Sequence, residues 1–175
     1  MLTTGNREYV KITKTFALAA AEAFQRLPAE GEPFRFVFVS GDGATFRPGR
    51  FTPIFGRVKG ETELALAEMR RANPLLLADT VRPGIVDPAG HTSILDFIPP
   101  YTAFKKAVGA VLVPVLRPVM RGYWSPTEPL GQFLTEMALG KWDSRLTASE
   151  FEKVGDFAVV TCGDIRRLKG LDKGP

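Results

Sequence analysis

The sequence predicts an α/β protein with a mostly parallel sheet that is covered by helices on both faces. Helical and extended segments alternate along its first half, and its extended segments are apolar on both faces. Strands of this kind belong to sheets that are covered on both sides, which are usually parallel. Crossover connections in such sheets are right-handed, so each helix should return the chain to a neighbouring parallel strand.

Residues 6–27 are predicted to form the first helix, because their apolar side chains recur at helical spacing. Residues 34–40 are predicted as a buried strand, since its phenylalanines share one face and its valines share the other. Residues 41–53 contain three glycines and two prolines, which is typical of a loop. Residues 54–72 return to helical spacing, and residues 75–81 are apolar enough for a second buried strand.

The second half of the chain gives weaker patterns. Residues 103–116 are predicted as a helix, and residues 157–161 as a last strand. A further helix is predicted over residues 125–140, with Ser125 as its cap and Glu128 completing a capping box. The strands are too few for a complete doubly wound sheet, and no linker divides the 175 residues into two domains.

Composition and charge argue against several classes of function. The net charge of +4 is modest, and basic residues are interleaved with acidic ones, so a nucleic-acid partner is not expected. The single cysteine, Cys162, and the single histidine, His91, exclude an intrachain disulfide and a zinc site built from His and Cys. No metal is therefore expected, and a reducing, cytoplasmic location is favoured.

The longest apolar stretch, residues 107–120, is interrupted by two prolines and an arginine. A membrane-spanning helix needs about 20 apolar residues, so no transmembrane segment is predicted. The stretch is interpreted as a buried helix, with peripheral membrane contact through its basic flanks as the alternative.

Ligands of open α/β sheets bind beyond the carboxyl ends of the strands, which here means residues 40–43 and 82–88. Gly41 and Gly43 follow a strand, but they do not make a dinucleotide fingerprint. Phe46 stands where a third glycine is needed, and prolines delay the helix whose N-terminus would hold the pyrophosphate. These glycines are interpreted as a tight turn.

Phe55 and Lys59 are four residues apart, so they share one helix face, and Ser40 ends the strand before them. Residues 81–84 and 125–131 add further short motifs. In order and spacing, this combination resembles the short-chain dehydrogenase/reductase family, in its atypical branch of nucleoside-diphosphate-sugar-epimerase-like proteins. The resemblance covers most of residues 6–140.

This resemblance implies a partial Rossmann-like domain, the C-terminal portion of a doubly wound parallel sheet, occupying residues 1–175 as one truncated domain. It implies NAD or NADP as the cofactor, with Ser40 orienting a substrate carbonyl and Lys59 holding the nicotinamide ribose. Phe55 stands where the family has the tyrosine that exchanges the proton. The loop after the second strand would line the nicotinamide through Arg82, Pro83, Gly84, Ile85 and Val86.

The chain departs from the family by lacking the glycine-rich segment that precedes the serine strand. Two functions remain: a divergent, catalytically impaired oxidoreductase or epimerase-like protein, or a non-catalytic protein-interaction domain derived from this fold. Simpler interpretations also remain, in which Lys59 pairs with Glu61 or Glu63 on an exposed helix and residues 82–84 only end a strand. In the family's strand order, the strand at residues 34–40 would lose a neighbour, so self-association or a protein partner is expected at that edge.

Overall fold

The computed structural model describes residues 4–88, 90–98, 120–147 and 150–172. Its first helical segment is continuous and comprises α1 (Thr4–Val10), a π-helical turn (Lys11–Thr15) and α2 (Phe16–Phe24). The remaining helices are α3 (Ile54–Ala72), α4 (Thr127–Ala138), α5 (Asp143–Leu146) and α6 (Cys162–Leu168), with short 3-10 helices at Thr92–Phe97 and Arg121–Tyr123. The strands are β1 (Phe34–Val39), β2 (Leu76–Arg82), β3 (Ile85–Asp87), β4 (Trp124–Pro126), β5 (Glu152–Val154) and β6 (Phe157–Thr161).

Four of these strands form one sheet in the order β1-β2-β6-β5. Strands β1, β2 and β6 are mutually parallel, whereas β5 runs antiparallel to β6. Strands β3 and β4 form a separate parallel pair. The predicted α/β class with a mostly parallel sheet is therefore confirmed.

Apolar side chains cover both faces of the sheet. On one face, the sheet packs against Ala21 of α2 and Leu66 of α3. On the other face, Phe133 of α4, Leu146 of α5 and Ile165 of α6 form a second buried cluster. Strand β1 contributes its phenylalanines to the first cluster and Val37 to the second, as the alternation in its sequence predicted.

The sequence-based assignments and the structure differ at several places after β2. Ser125 does not cap α4: it lies in β4, where its hydroxyl accepts a hydrogen bond from the Gly84 amide at 3.1 Å and contacts the Cys162 sulfur at 3.2 Å. The three short strands β3, β4 and β5 were not predicted. The predicted helix at residues 103–116, and the apolar stretch up to residue 119, lie outside the described residues. Within the described ranges, every helix is too short or too polar to pass through a bilayer.

Candidate functional site

The loops that leave β1 and β2 run side by side at the carboxyl end of the sheet. The Ser40 amide donates to the Val81 carbonyl oxygen at 2.8 Å, and the Asp42 amide donates to the Pro83 carbonyl oxygen at 2.8 Å. The structure therefore brings together the two segments that the sequence singled out separately. This is the end of a parallel sheet at which ligands bind.

Helix α3 is held directly against the loop after β1 by two glycines. A Cβ atom at Gly56 would lie 2.5 Å from the Gly43 carbonyl oxygen, and one at Gly60 would lie 2.0 Å from the Thr45 carbonyl oxygen. Neither distance is sterically allowed, so both positions require glycine. This close approach places Lys59, between the two glycines, beside the end of β1.

Lys59 reaches back to the strand end and donates a hydrogen bond from Nζ to the Ser40 carbonyl oxygen. Burial lowers the pKa of Lys59, and the nearby Glu63 carboxylate opposes part of that shift. The alternative interpretation, in which Lys59 pairs with Glu61 or Glu63 on an exposed helix, does not match the structure, because Glu61 binds Lys14 at 2.9 Å and Glu63 binds Arg82. The amine is thus a half-buried group of the site.

The Ser40 hydroxyl lies at the same strand end and is buried. Ser40 is only 3% exposed, and its Oγ has no hydrogen-bond partner among the described residues. A buried polar group without a partner costs about 1–3 kcal/mol. The hydroxyl is therefore available for a hydrogen bond to a bound molecule.

Phe55 begins the same helix face one turn before Lys59. Its ring lies 3.5 Å from the position that a Cβ at Gly43 would occupy, and the residue is 43% exposed. The positive φ of 90° at Gly43 lets the loop turn beneath this ring. The exposed phenyl group carries no proton to transfer.

Arg82 is the last residue of β2 and does not belong to the segment that follows it. Its guanidinium turns into the protein and binds the fully buried Glu63 carboxylate at 2.6 Å and 3.0 Å. Glu152 lies 3.4 Å away, and the Phe46 ring packs 4.8 Å from the guanidinium carbon. Arg82 therefore ties β2 to α3 in the protein interior.

Sequence reasoning missed Glu63 as the partner of Arg82. Its position in α3 indicates that Glu63 is buried, because the nearby Thr62 and Leu66 lie on the buried face of the same helix. A carboxylate at such a position needs a buried partner. The Thr80 hydroxyl adds a hydrogen bond to Glu63 at 3.2 Å.

Pro83 and Gly84 lead into the exposed strand β3. A Cβ at Gly84 would lie 2.1 Å from the Tyr123 carbonyl oxygen, so only glycine allows β4 to approach here. Ile85 and Val86 are 45% and 49% exposed. Both residues belong to β3, which follows the carboxyl end of β2, and their side chains give this segment an apolar surface.

A comparison with curated proteins shows a relative of this chain. The chain is 42% identical over 156 residues to botcinic acid biosynthesis cluster B protein 16 of Botryotinia fuckeliana (strain B05.10). The match covers 89% of this chain and 99% of that protein. No protein-family model and no solved structure matches the chain.

Proposed function

Because the chain belongs to the same family as botcinic acid biosynthesis cluster B protein 16, we propose that it takes part in the biosynthesis of an organic acid. We infer that it does so as a divergent, Rossmann-like relative of the short-chain dehydrogenases/reductases. Its site would retain contacts to the nicotinamide end of NAD or NADP and would be impaired in ordinary carbonyl reduction.

The observation that carries this proposal concerns Ser40, whose buried hydroxyl has no hydrogen-bond partner among the described residues and whose carbonyl oxygen accepts a hydrogen bond from the Lys59 amine. A buried hydroxyl and a half-buried amine can together bind the polar edge of a ligand. A mainly apolar surface with a few convergent polar groups is typical of small-molecule sites. Ile85 and Val86 supply apolar surface on the neighbouring segment.

The residues fit the nicotinamide end of the cofactor. A bound nicotinamide cofactor would supply hydride chemistry. The Ser40 hydroxyl would hydrogen-bond a carbonyl oxygen, Lys59 would hold a ribose hydroxyl, and the segment from Pro83 to Val86 would contact the ring. Phe55 would exclude water, but it cannot exchange a proton, which is why we propose impaired catalysis.

The described residues do not fit the rest of a dinucleotide equally well. The loop after β1 enters α3 through Pro53, so no glycine-rich turn leads directly into a helix N-terminus there. We therefore propose that contacts to the pyrophosphate and adenosine are largely lacking and that affinity for the whole cofactor is low.

This proposal can be tested with nicotinamide mononucleotide, which contains only the end of the cofactor that the site fits. In an NMR titration, we expect saturable shifts at Ser40, Lys59, Ile85 and Val86. The shifts should weaken in Ser40→Ala and Lys59→Met, and persist in Lys14→Met, which changes a lysine paired with Glu61 on the protein surface. Shifts that are absent, or that Ser40→Ala leaves unchanged, would contradict the proposal.

A second candidate function is that of a non-catalytic interaction domain. Phe55 at the tyrosine position favours it, and so does β1, which lies at the edge of the sheet in the described structure. In this function the protein would act through a partner bound along that edge, with or without a ligand at the strand ends.

A further inference from the structure

The outer edge of β1 carries backbone groups that the described residues leave unpaired. The amides of Phe34 and Ser40 bond to the Leu75 and Val81 carbonyl oxygens of β2, both at 2.8 Å. The alternating residues Arg35, Val37 and Val39 therefore point their N–H and C=O groups away from β2. No described residue hydrogen-bonds to those groups.

Apolar side chains flank this edge on both faces of the sheet. Phe24 is 44% exposed and packs against Phe34 with ring centroids 6.1 Å apart. On the other face, Leu139 is 67% exposed and precedes Gly140, where a Cβ would lie 2.6 Å from an Arg35 nitrogen. The edge thus combines apolar contact area with hydrogen-bonding groups that no described residue pairs.

The edge lacks the charges that usually prevent strands from pairing. Arg35 is the one charged residue within β1, and Asp143 binds it at 2.5 Å. Two such edges can approach without uncompensated like charges.

We propose that the edge of β1 binds the same edge of a second copy of this chain. The two strands would run antiparallel about a two-fold axis at Val37. Val37 would then exchange two hydrogen bonds with Val37 of the second copy, and Arg35 would do so with Val39. Every outward backbone group of the three residues gains a partner, which makes the edge self-complementary.

This inference specifies the partner for the second candidate function and does not depend on nicotinamide binding. Light scattering on the whole chain at tens of micromolar should give a dimer. Val39→Pro removes one outward N–H without touching a bond to β2, and edge strands tolerate proline at such positions. Because that bond occurs twice in the dimer, the dissociation constant should rise about tenfold or more.

A matched control is Phe51→Ser, which removes a 91% exposed ring from the loop between β1 and α3 and should leave the dimer intact. Hydrogen exchange gives a second readout that needs no variant. The amides of Arg35, Val37 and Val39 should be protected in the dimer and exchange after dilution, whereas those of Phe36 and Phe38 stay protected in both states. A monomeric wild type, an aggregate of indefinite size, or equal protection at all five amides would overturn the proposal. Each of these results leaves the nicotinamide titration to be judged separately.

Discussion

At the scale of single residues, Lys59 shows how burial tunes a group of the site. Its pKa is lowered chiefly by desolvation, against the attraction of Glu63. The folded state therefore binds this proton less tightly than the unfolded chain. Between the lowered pKa and the unfolded value of about 10.4, the contribution of Lys59 to stability increases as pH rises.

We accordingly expect Lys59 to lose its proton at a lower pH than the ordinary lysine value of about 10.4. An NMR titration of the Lys59 side-chain resonances measures this pKa. Glu63→Gln removes the carboxylate charge that opposes desolvation, so it should lower the pKa of Lys59 further. Replacing Lys59 itself by Asp or Glu would leave no lysine pKa to measure. A Lys59 pKa at or above the ordinary lysine value would show that the amine is not desolvated.

Glu63 and Arg82 form a buried ion pair, and removing one partner leaves the other charge buried alone. Glu63→Ala should therefore reduce the free energy of unfolding by about 3–5 kcal/mol. Glu61→Ala is the matched control, because its ion pair with Lys14 is surface-exposed and should be worth about 1 kcal/mol or less. Urea unfolding of the three proteins measures the difference, and equal losses in both variants would contradict the structural role of the pair.

Phe55→Tyr places a hydroxyl where the proposed resemblance to the short-chain dehydrogenases/reductases would put the proton-exchanging tyrosine. We expect no NADPH-dependent turnover of aldehydes or ketones, because under our proposal the cofactor that donates the hydride binds only weakly. Phe51→Tyr, on the preceding loop, controls for effects of an added hydroxyl. Turnover that appears with Phe55→Tyr and not with Phe51→Tyr would show that the missing proton donor is the main defect.

At the scale of elements, a helix or strand could be predicted from the sequence when its apolar pattern was long enough and when residues such as proline marked its ends. Helix α3 was predicted to both of its ends, because Pro53 precedes it and Asn73-Pro74 follows its long apolar pattern. Strand β6 was also predicted to both ends, as a short apolar run. Strands β3, β4 and β5 have three residues each, which is too few for a period of two to be recognised.

Helix α6 was missed for a different reason. Thr161 and Asp164 form a capping box around Cys162 and Gly163, but glycine in the first turn weakens a helical pattern of only seven residues. Ser125 shows the opposite error, because it was predicted as a helix cap that does not form. A serine before a proline is a common cap, but here the Ser125 hydroxyl accepts a hydrogen bond from the Gly84 amide instead. The α6 error thus comes from local propensity, whereas the Ser125 error comes from tertiary packing.

The candidate site was predictable in part from the same rules. Ser40 and Lys59 were expected near each other, because a strand end and the first turns of the following helix meet at the carboxyl edge of a parallel sheet. The inward turn of Arg82 was not predictable. It requires that Glu63 and Thr80 face each other across α3 and β2, which depends on the packing of a helix on a strand.

At the scale of the whole molecule, the position of β1 limits which ligands the sheet can hold. A dinucleotide lies across the carboxyl ends of several strands, but here the described sheet stops at β1, beside the proposed nicotinamide end. We therefore expect NAD(H) and NADP(H) to bind weakly, and little more tightly than nicotinamide mononucleotide, because the adenosine half adds few contacts. Calorimetry with both ligands measures the ratio, which should stay within about threefold, a free-energy difference of about 0.7 kcal/mol. A low-micromolar dissociation constant for either dinucleotide would show that the protein holds the adenosine half after all, through residues outside the described site or through a second copy.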